Sequence, residues 1–133
     1  MGVLRLLLDT HCWIWFHWYP DRLPSPIRRR LRQESSELFL SAATVIEITI
    51  KHGSGRLRLP QSPDEFVAAL LASSVLPLPV GLDHALAVGT LPPHHQDPFD
   101  RLLVAQALVE DLTLVSADPQ VLRYPARTLD ARK

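Results

Sequence analysis

Val3-Leu4-Arg5-Leu6-Leu7-Leu8-Asp9-Thr10-His11-Cys12-Trp13 is the stretch on which the fold turns. Apart from Arg5, positions 3 to 8 are apolar without alternation, as in a strand covered on both faces. Asp9 stands where that strand stops, and Thr10–Trp18 reads as an aromatic-rich helix ended by Tyr19-Pro20-Asp21. Outward from there the alternation continues. Ser25-Pro26 opens a basic helix through Arg32, Glu37–Ser41 is a second strand, and Ala43–His52 is a helix closed by Gly53. A helix follows from Ser62-Pro63 to Ser73. Val75–Val80 is strand-like but interrupted by proline, which suits an edge strand or an extended loop. Leu82–Val88 reads as a short helix, Asp97-Pro98 opens a helix through Glu110, and Leu112–Ser116 is a strand. Asp118-Pro119 opens a last helical turn before Arg127–Leu129. Strands and helices in this order predict an α/β domain with a mostly parallel central sheet flanked by helices.

The prolines support these boundaries. Ser25-Pro26, Ser62-Pro63, Asp97-Pro98 and Asp118-Pro119 each place a capping oxygen before a proline at the first helical position. There the missing N–H costs nothing and the fixed φ suits the helix.

Composition narrows the class. The chain has 133 residues, which predicts a single domain over 1–133 with a core that needs no staples. Its one cysteine, Cys12, excludes an internal disulfide framework and a Cys-rich zinc site. Fourteen Lys and Arg against 14 Asp and Glu exclude a uniformly basic nucleic-acid binder. A hydrophobic fraction of 47% excludes a disordered chain. The apolar runs Val3–Leu8 and Leu102–Val109 are broken by Arg5 and Gln106 and fall far short of the roughly 20 residues of a membrane span. No signal-peptide pattern opens the chain, and Leu6 stands where a myristoylation motif wants Ser or Thr. A reducing, cytoplasmic setting is expected.

In open parallel sheets, ligands bind beyond the carboxyl ends of the strands. Asp9 follows the first strand directly and Asp118 lies two residues after Ser116, so both belong to one rim. Asp97 and Asp100 at a helix start can face that rim too. Glu47 lies within the apolar run Val45-Ile46-Glu47-Ile48, where an unpaired carboxylate would be costly to bury. Each acid also has a purely structural explanation. Asp97 would be an N-cap and Asp100 its capping-box acid; Asp9 and Asp118 would be caps; Glu47 would pair with Lys51 at i+4. Caps account for position but not for convergence. Two carboxylates ~5 Å apart repel by about 3 kcal/mol at an effective dielectric of 20. A cluster of four therefore needs protons or a cation, and all-oxygen ligands suit Mg²⁺ or Mn²⁺.

The sequence resembles the PIN-domain ribonucleases, and among them the VapC-type toxins of bacterial toxin–antitoxin modules. The resemblance rests on Leu7-Leu8-Asp9-Thr10-His11 and on Leu40-Ser41-Ala42-Ala43-Thr44-Val45-Ile46-Glu47-Ile48 with Lys51 and Gly53. It continues through His94-His95-Gln96-Asp97-Pro98-Phe99-Asp100-Arg101-Leu102 and Leu114-Val115-Ser116-Ala117-Asp118. It implies a PIN-like fold, catalysis and metal binding by Asp9, Glu47, Asp100 and Asp118, and an Mg²⁺ (or Mn²⁺) cofactor. Asp97, Thr10, Ser116 and Arg101 take auxiliary places around those acids. Ser116 stands where the family often has Thr, and Gln96 where Arg is commoner. The implied activity is metal-dependent endoribonuclease cleavage of RNA. The implied partners are a VapB-type antitoxin and a second copy of the chain, as a homodimer or a hetero-oligomer with the antitoxin.

Other residues divide between site and scaffold. His11, His94 and His95 lie near the acids in sequence, where hydrogen bonding to acids or phosphate suits them better than base catalysis. Trp13, Trp15 and Trp18 could stack bases, but their spacing over several helix faces favours core and interface. Arg28-Arg29-Arg30 with Arg32 reads equally as an RNA groove or a solvated face. Arg101 is placed to meet a phosphate or an acid. Cys12 reads as a small buried hydrophobe.

Two other phosphoryl-transfer architectures also place Asp at strand ends. A receiver domain wants paired early acids and a Lys after its last strand, where Ser116-Ala117-Asp118 supplies an acid; a HAD-type site wants Asp-x-Asp, which Asp9-Thr10-His11 lacks. A non-catalytic PIN-fold binding module is the remaining alternative, and the complete acid set counts against it. With five acids drawn into one cleft, the rest of the chain carries 14 bases against nine acids. Neutrality overall is then compatible with holding RNA around an acidic centre.

Overall fold

The computed structural model describes residues 3–133. Its strands are β1 (Leu4–Leu8), β2 (Ser36–Ser41), β3 (Leu76–Leu78), β4 (Thr113–Ser116) and β5 (Thr128–Asp130). Between them run α1 (Thr10–Trp18), α2 (Ser25–Arg32), α3 (Ala42–Gly53), α4 (Pro63–Ala72), α5 (Leu82–Val88) and α6 (Pro98–Glu110). Short 3-10 turns cover Pro20–Arg22 and Val121–Arg123. The sheet order is β3-β2-β1-β4-β5 and every pairing is parallel.

β1 owes its unbroken apolar run to its central place. Leu6 and Leu8 enter a layer with Trp13, Leu31, Phe66 and Leu70, whereas Leu7 enters the opposite layer with Ala43, Leu103, Val104 and Leu114. Side chains that alternate in direction meet a core on either face. Leu6 pairs with Leu38 of β2 and with Thr113 of β4. The chain winds outward from β1 to β3, then returns to β1's other side as β4. The winding direction therefore reverses between β1 and β4, and their carboxyl ends flank the crevice where such sheets bind ligands.

Several boundaries differ from expectation. Val3 is exposed and precedes β1, while β2 begins at Ser36 and β4 at Thr113. Only Leu76–Leu78 of the Val75–Val80 segment pairs, at the sheet edge, where Pro77 needs no outward ladder bond. Arg127–Leu129 lies around a fifth strand, Thr128–Asp130, which pairs with β4. Ser62 and Asp97 cap as expected: Ser62 Oγ accepts from Glu65 N–H at 3.2 Å and Asp97 Oδ1 from Phe99 N–H at 2.9 Å. Ser25 does not cap. It is already the first residue of α2, because the Pro24 carbonyl accepts the N–H groups of Ile27 and Arg28. Asp118 Oδ1 accepts from Gln120 N–H at 2.8 Å, and the turn it opens is 3-10. Among the described residues, no helix is long and apolar enough to cross a membrane.

Candidate metal centre

Asp9 ends β1 and caps α1, so one short segment sets both its position and its orientation. Its Oδ1 accepts from Cys12 N–H at 2.9 Å, while Ser116 at the end of β4 donates its hydroxyl to Oδ2 at 2.6 Å. The backbone N–H of Asp9 continues the ladder to Val115 O at 3.0 Å. These bonds pin a carboxylate that is only 5% exposed. Burial nevertheless raises its pKa, outweighing the bonds from Ser116 and Cys12 that favour the anion.

Glu47 arrives from α3 and is 3% exposed. Thr10 donates to its Oε1 at 2.6 Å, and the Lys51 ammonium lies 2.5 Å from its Oε2. Thr10 Oγ1 is also 3.2 Å from Thr44 Oγ1, which ties the first turns of α1 and α3 together. The i+4 pairing expected of Lys51 is therefore made, and it accompanies placement in the cleft rather than replacing it.

Asp100 projects from the first turn of α6, where Asp97 Oδ1 accepts its backbone N–H at 3.0 Å. The capping-box role expected of its side chain gives way to the cleft. Burial pushes the Asp100 carboxyl from the ordinary 3.8 up to about 8, reinforced by the charges of Asp97, Asp9, Glu47 and Asp118. Carboxylates from β1, α3, α6 and the β4 end thus act on one group. They line a cleft of about 300 Å³ together with His11, Trp15, Lys51 and Ala117. The structure brings together all five acids picked out in the sequence. Such crowding is relieved by a proton or by a hard cation with oxygen ligands.

The auxiliary residues separate by contact. Ser116 and Thr10 each donate to an acid, and Asp97 both caps α6 and lines the cleft. Arg101 pairs with no acid among the described residues. Its guanidinium donates to Pro92 O at 2.9 Å, Val88 O at 3.2 Å and the Tyr124 hydroxyl at 3.0 Å, and so ties down the loop before α6. Backbone carbonyls in that loop have no helix or strand partner, and five fixed donors meet several of them at once. His95 bridges the same latch to the site, with Nδ1 2.8 Å from the Tyr124 hydroxyl and Nε2 3.4 Å from Asp100 Oδ2. His94 packs edge-on against Tyr124. Arg28, Arg29 and Arg32 surround a separate hollow that shares no residue with the acid cleft. The tryptophans divide: Trp13 is fully buried, Trp18 stacks on Phe66 at 4.5 Å, and Trp15 reaches the cleft wall.

Among the described residues, the group whose possible metal-ligand atoms all lie within 4.8 Å of one another is outside this cleft: Asp83, His84 and Glu110. Here both imidazole nitrogens are engaged, Nδ1 accepting Gly81 N–H at 2.9 Å and Nε2 facing Glu110 Oε2 at 2.9 Å. That arrangement caps α5 and joins it to α6. Sequence reading missed it, along with buried Gln106, which receives the Ser41 hydroxyl on Oε1 and donates to Pro79 O. A polar residue in the apolar run Val104-Ala105-Gln106-Ala107 was the available signal.

Comparison with known proteins agrees with this fold. The chain is similar in structure to a VapBC2 complex from Rickettsia felis bound to a promoter DNA fragment, with TM-score 0.72 and 15% identity over 96% of this chain and 99% of that one. It is similar to VapBC-1 from nontypeable Haemophilus influenzae, with TM-score 0.67 and 22% identity over 96% and 98% of the two chains. DNA-bound VapBC from Salmonella typhimurium gives TM-score 0.65 and 20% identity over the same shares. No curated protein sequence matches. The family profile described as the PIN domain matches residues 6–127. With that match spanning nearly all of the sequence, the chain belongs to the PIN-domain family.

Proposed function

We propose that this protein is an Mg²⁺- or Mn²⁺-dependent endoribonuclease and the toxin of a toxin–antitoxin module. The observation that carries the reading is the convergence of Asp9, Glu47, Asp97, Asp100 and Asp118 on one cleft at the point where the sheet's winding reverses. Asp9, Glu47, Asp100 and Asp118 would hold the cation, and their all-oxygen donor set fits a hard ion. When bound, such an ion supplies a water nucleophile of lowered pKa and neutralises charge on a phosphodiester. The chain's own residues prepare that site. Ser116 and Thr10 donate hydrogen bonds to Asp9 and Glu47, which orients these carboxylates before an ion arrives. Lys51 offsets the charge of Glu47 and brings a cation to a cleft wall that would otherwise repel phosphate. The structural neighbours are VapBC complexes, which supports a VapB-type antitoxin as partner, in a hetero-oligomer or with the toxin paired as a homodimer.

The test is RNA cleavage by the purified chain in Mg²⁺, with and without EDTA. Wild type cleaves and EDTA stops it. Asp9→Asn and Asp100→Asn each remove a ligand charge and abolish cleavage while circular dichroism stays that of the wild type. Full activity in either variant overturns the assignment; binding of RNA without cleavage by the wild type returns the reading to a non-catalytic module.

A further inference from the structure

Gln106 is a polar side chain that α6 sends into its own core. It is fully buried among Leu103, Val104, Ala105 and Ala107 of the same helix. Its two ends are told apart by their partners. Pro79 O can only accept, so Nε2 faces it at 3.2 Å, and Oε1 receives the Ser41 hydroxyl at 2.5 Å. The remaining Nε2 hydrogen lies toward His84 Nδ1 at 3.4 Å. Ser41 is as buried as Gln106; it ends β2 and caps α3. Its Oγ accepts Ala43 N–H at 3.0 Å, and its own proton goes to Gln106.

An amide in an apolar layer costs desolvation, and an aliphatic side chain of similar volume packs in such a place about as well. What the amide adds is direction. Ser41 stands six residues before Glu47 at the head of α3, and Gln106 six residues after Asp100 on α6. At 1.5 Å per residue, each acid lies about 9 Å along its helix from one end of the Ser41–Gln106 bond. Glu47 and Asp100 line the same cleft, and without a cation their charges repel and press the two helices apart. Aliphatic contacts slide at little cost. A buried hydroxyl–amide bond resists, because separation leaves both groups unpaired in a layer without water.

Resting on the metal-centre reading above, we propose that Gln106 is a positioning residue: through Ser41 it fixes α6 against the start of α3, and so sets the separation at which Asp100 and Glu47 reach one cation. It touches neither the ion nor the substrate.

The experiment measures Mn²⁺ binding to the full chain by isothermal titration calorimetry, and RNA cleavage in Mg²⁺, for Gln106→Leu, Ser41→Ala and the two combined. Each single variant weakens Mn²⁺ binding about tenfold, the lower end for groups that orient metal ligands. The kcat falls by a similar factor while KM stays within about twofold, since no substrate contact is removed. The double variant binds within about twofold of the weaker single one, because one bond carries both effects. Ser41→Ala removes a single oxygen and carries the test where Gln106→Leu does not fold. Val104→Ala, buried on the same helix but outside the bond, loses stability to a cavity and keeps wild-type Mn²⁺ affinity, which separates misplaced acids from a loosened core. Wild-type Mn²⁺ affinity in Ser41→Ala overturns the proposal. So do losses that multiply in the double variant, or an equal loss in Val104→Ala. If the wild type binds Mn²⁺ and the variants bind it more weakly, yet no RNA is cut, the positioning role stands and the ribonuclease reading fails. A wild type that binds no Mn²⁺ overturns the metal centre and the positioning role together.

Discussion

The two oxygens of Asp9 face different neighbours, and that division lets one side chain serve scaffold and site together. Oδ1 stops the first turn of α1 from fraying by accepting Cys12 N–H, while Oδ2 receives the Ser116 hydroxyl at the rim. Removing the hydroxyl leaves the cap intact but frees the oxygen that faces the cleft. Ser116→Ala is therefore expected to weaken Mn²⁺ binding about tenfold by isothermal titration calorimetry, in line with other losses of an outer hydrogen bond to a metal ligand. Ser116→Thr keeps the hydroxyl and is expected to bind as the wild type does. Equal affinity in Ser116→Ala would show that the bond orients nothing that matters to the ion. Cys12, next to this cap, is buried, and burial pushes its thiol pKa up, so it takes the place of a small apolar side chain.

At the scale of elements, the start of α6 is the most heavily used segment. Asp97 accepts two backbone N–H groups, Pro98 follows it, and Asp100 turns into the cleft within the same turn. Arg101 and Tyr124 hold the preceding loop by its carbonyls and by His95, which fixes the angle at which the helix enters. The cap needs an oxygen at Asp97 and the cleft feels its charge, so two substitutions separate the roles. Asp97→Asn retains an acceptor and is expected to lie within a few tenths of a kcal/mol of wild type in urea unfolding, whereas Asp97→Ala loses about 1 kcal/mol. Mn²⁺ affinity falls comparably in both. Equal destabilisation by the two variants would mean that charge at the helix terminus, not the accepted hydrogen bonds, stabilises this end.

For the whole molecule, the concentration of acids at one crevice sets a stability cost. The Asp100 carboxyl titrates near 3.8 when unfolded and about 8 when folded. Between those values the folded state retains a proton that the unfolded state has released, so stability falls as pH rises through the window. The metal-free protein is thus expected to lose thermal stability between pH 5 and pH 8 relative to Asp100→Asn, which lacks the titrating group. If the cleft binds Mg²⁺ as proposed, millimolar Mg²⁺ is expected to oppose that loss by binding only the folded state. Melting curves at four pH values, with EDTA and with Mg²⁺, check both parts; a wild-type curve parallel to that of Asp100→Asn throughout would contradict them. With Lys51 and five acids in the cleft, the rest of the chain carries 13 bases against nine acids, so a net basic remainder surrounds an acidic crevice.

Much of this was legible in the linear chain because its causes are local. An apolar run without alternation declares a doubly covered strand, as at Leu6, Leu7 and Leu8, and Asp97 before Pro98 declares a helix start. The ends of such elements place Asp9 and Asp118 at one rim without any distance being known. Local rules reach less far where a neighbouring turn competes: the Pro24 carbonyl starts α2 before Ser25 can cap it. They say nothing of a side chain whose partner comes from another layer. Trp13, Trp15 and Trp18 share one helix, yet one enters the core, one reaches the cleft and one stacks on Phe66 of α4. Arg101 looked suited to an acid or a phosphate, and in the fold carbonyls of the loop before α6 take its donors with no acid beside it. By itself the sequence determined the α/β alternation, the starts of the helices capped by Ser62 and Asp97, and the identity of the five acids, through periodicity and capping within a few residues. Only the tertiary structure decided that a hydroxyl 107 residues away holds Asp9, and that Trp15 reaches the wall of the acid cleft. Those contacts depend on strand order and on which layer each side chain packs into, and both emerge only when the sheet closes its two cores.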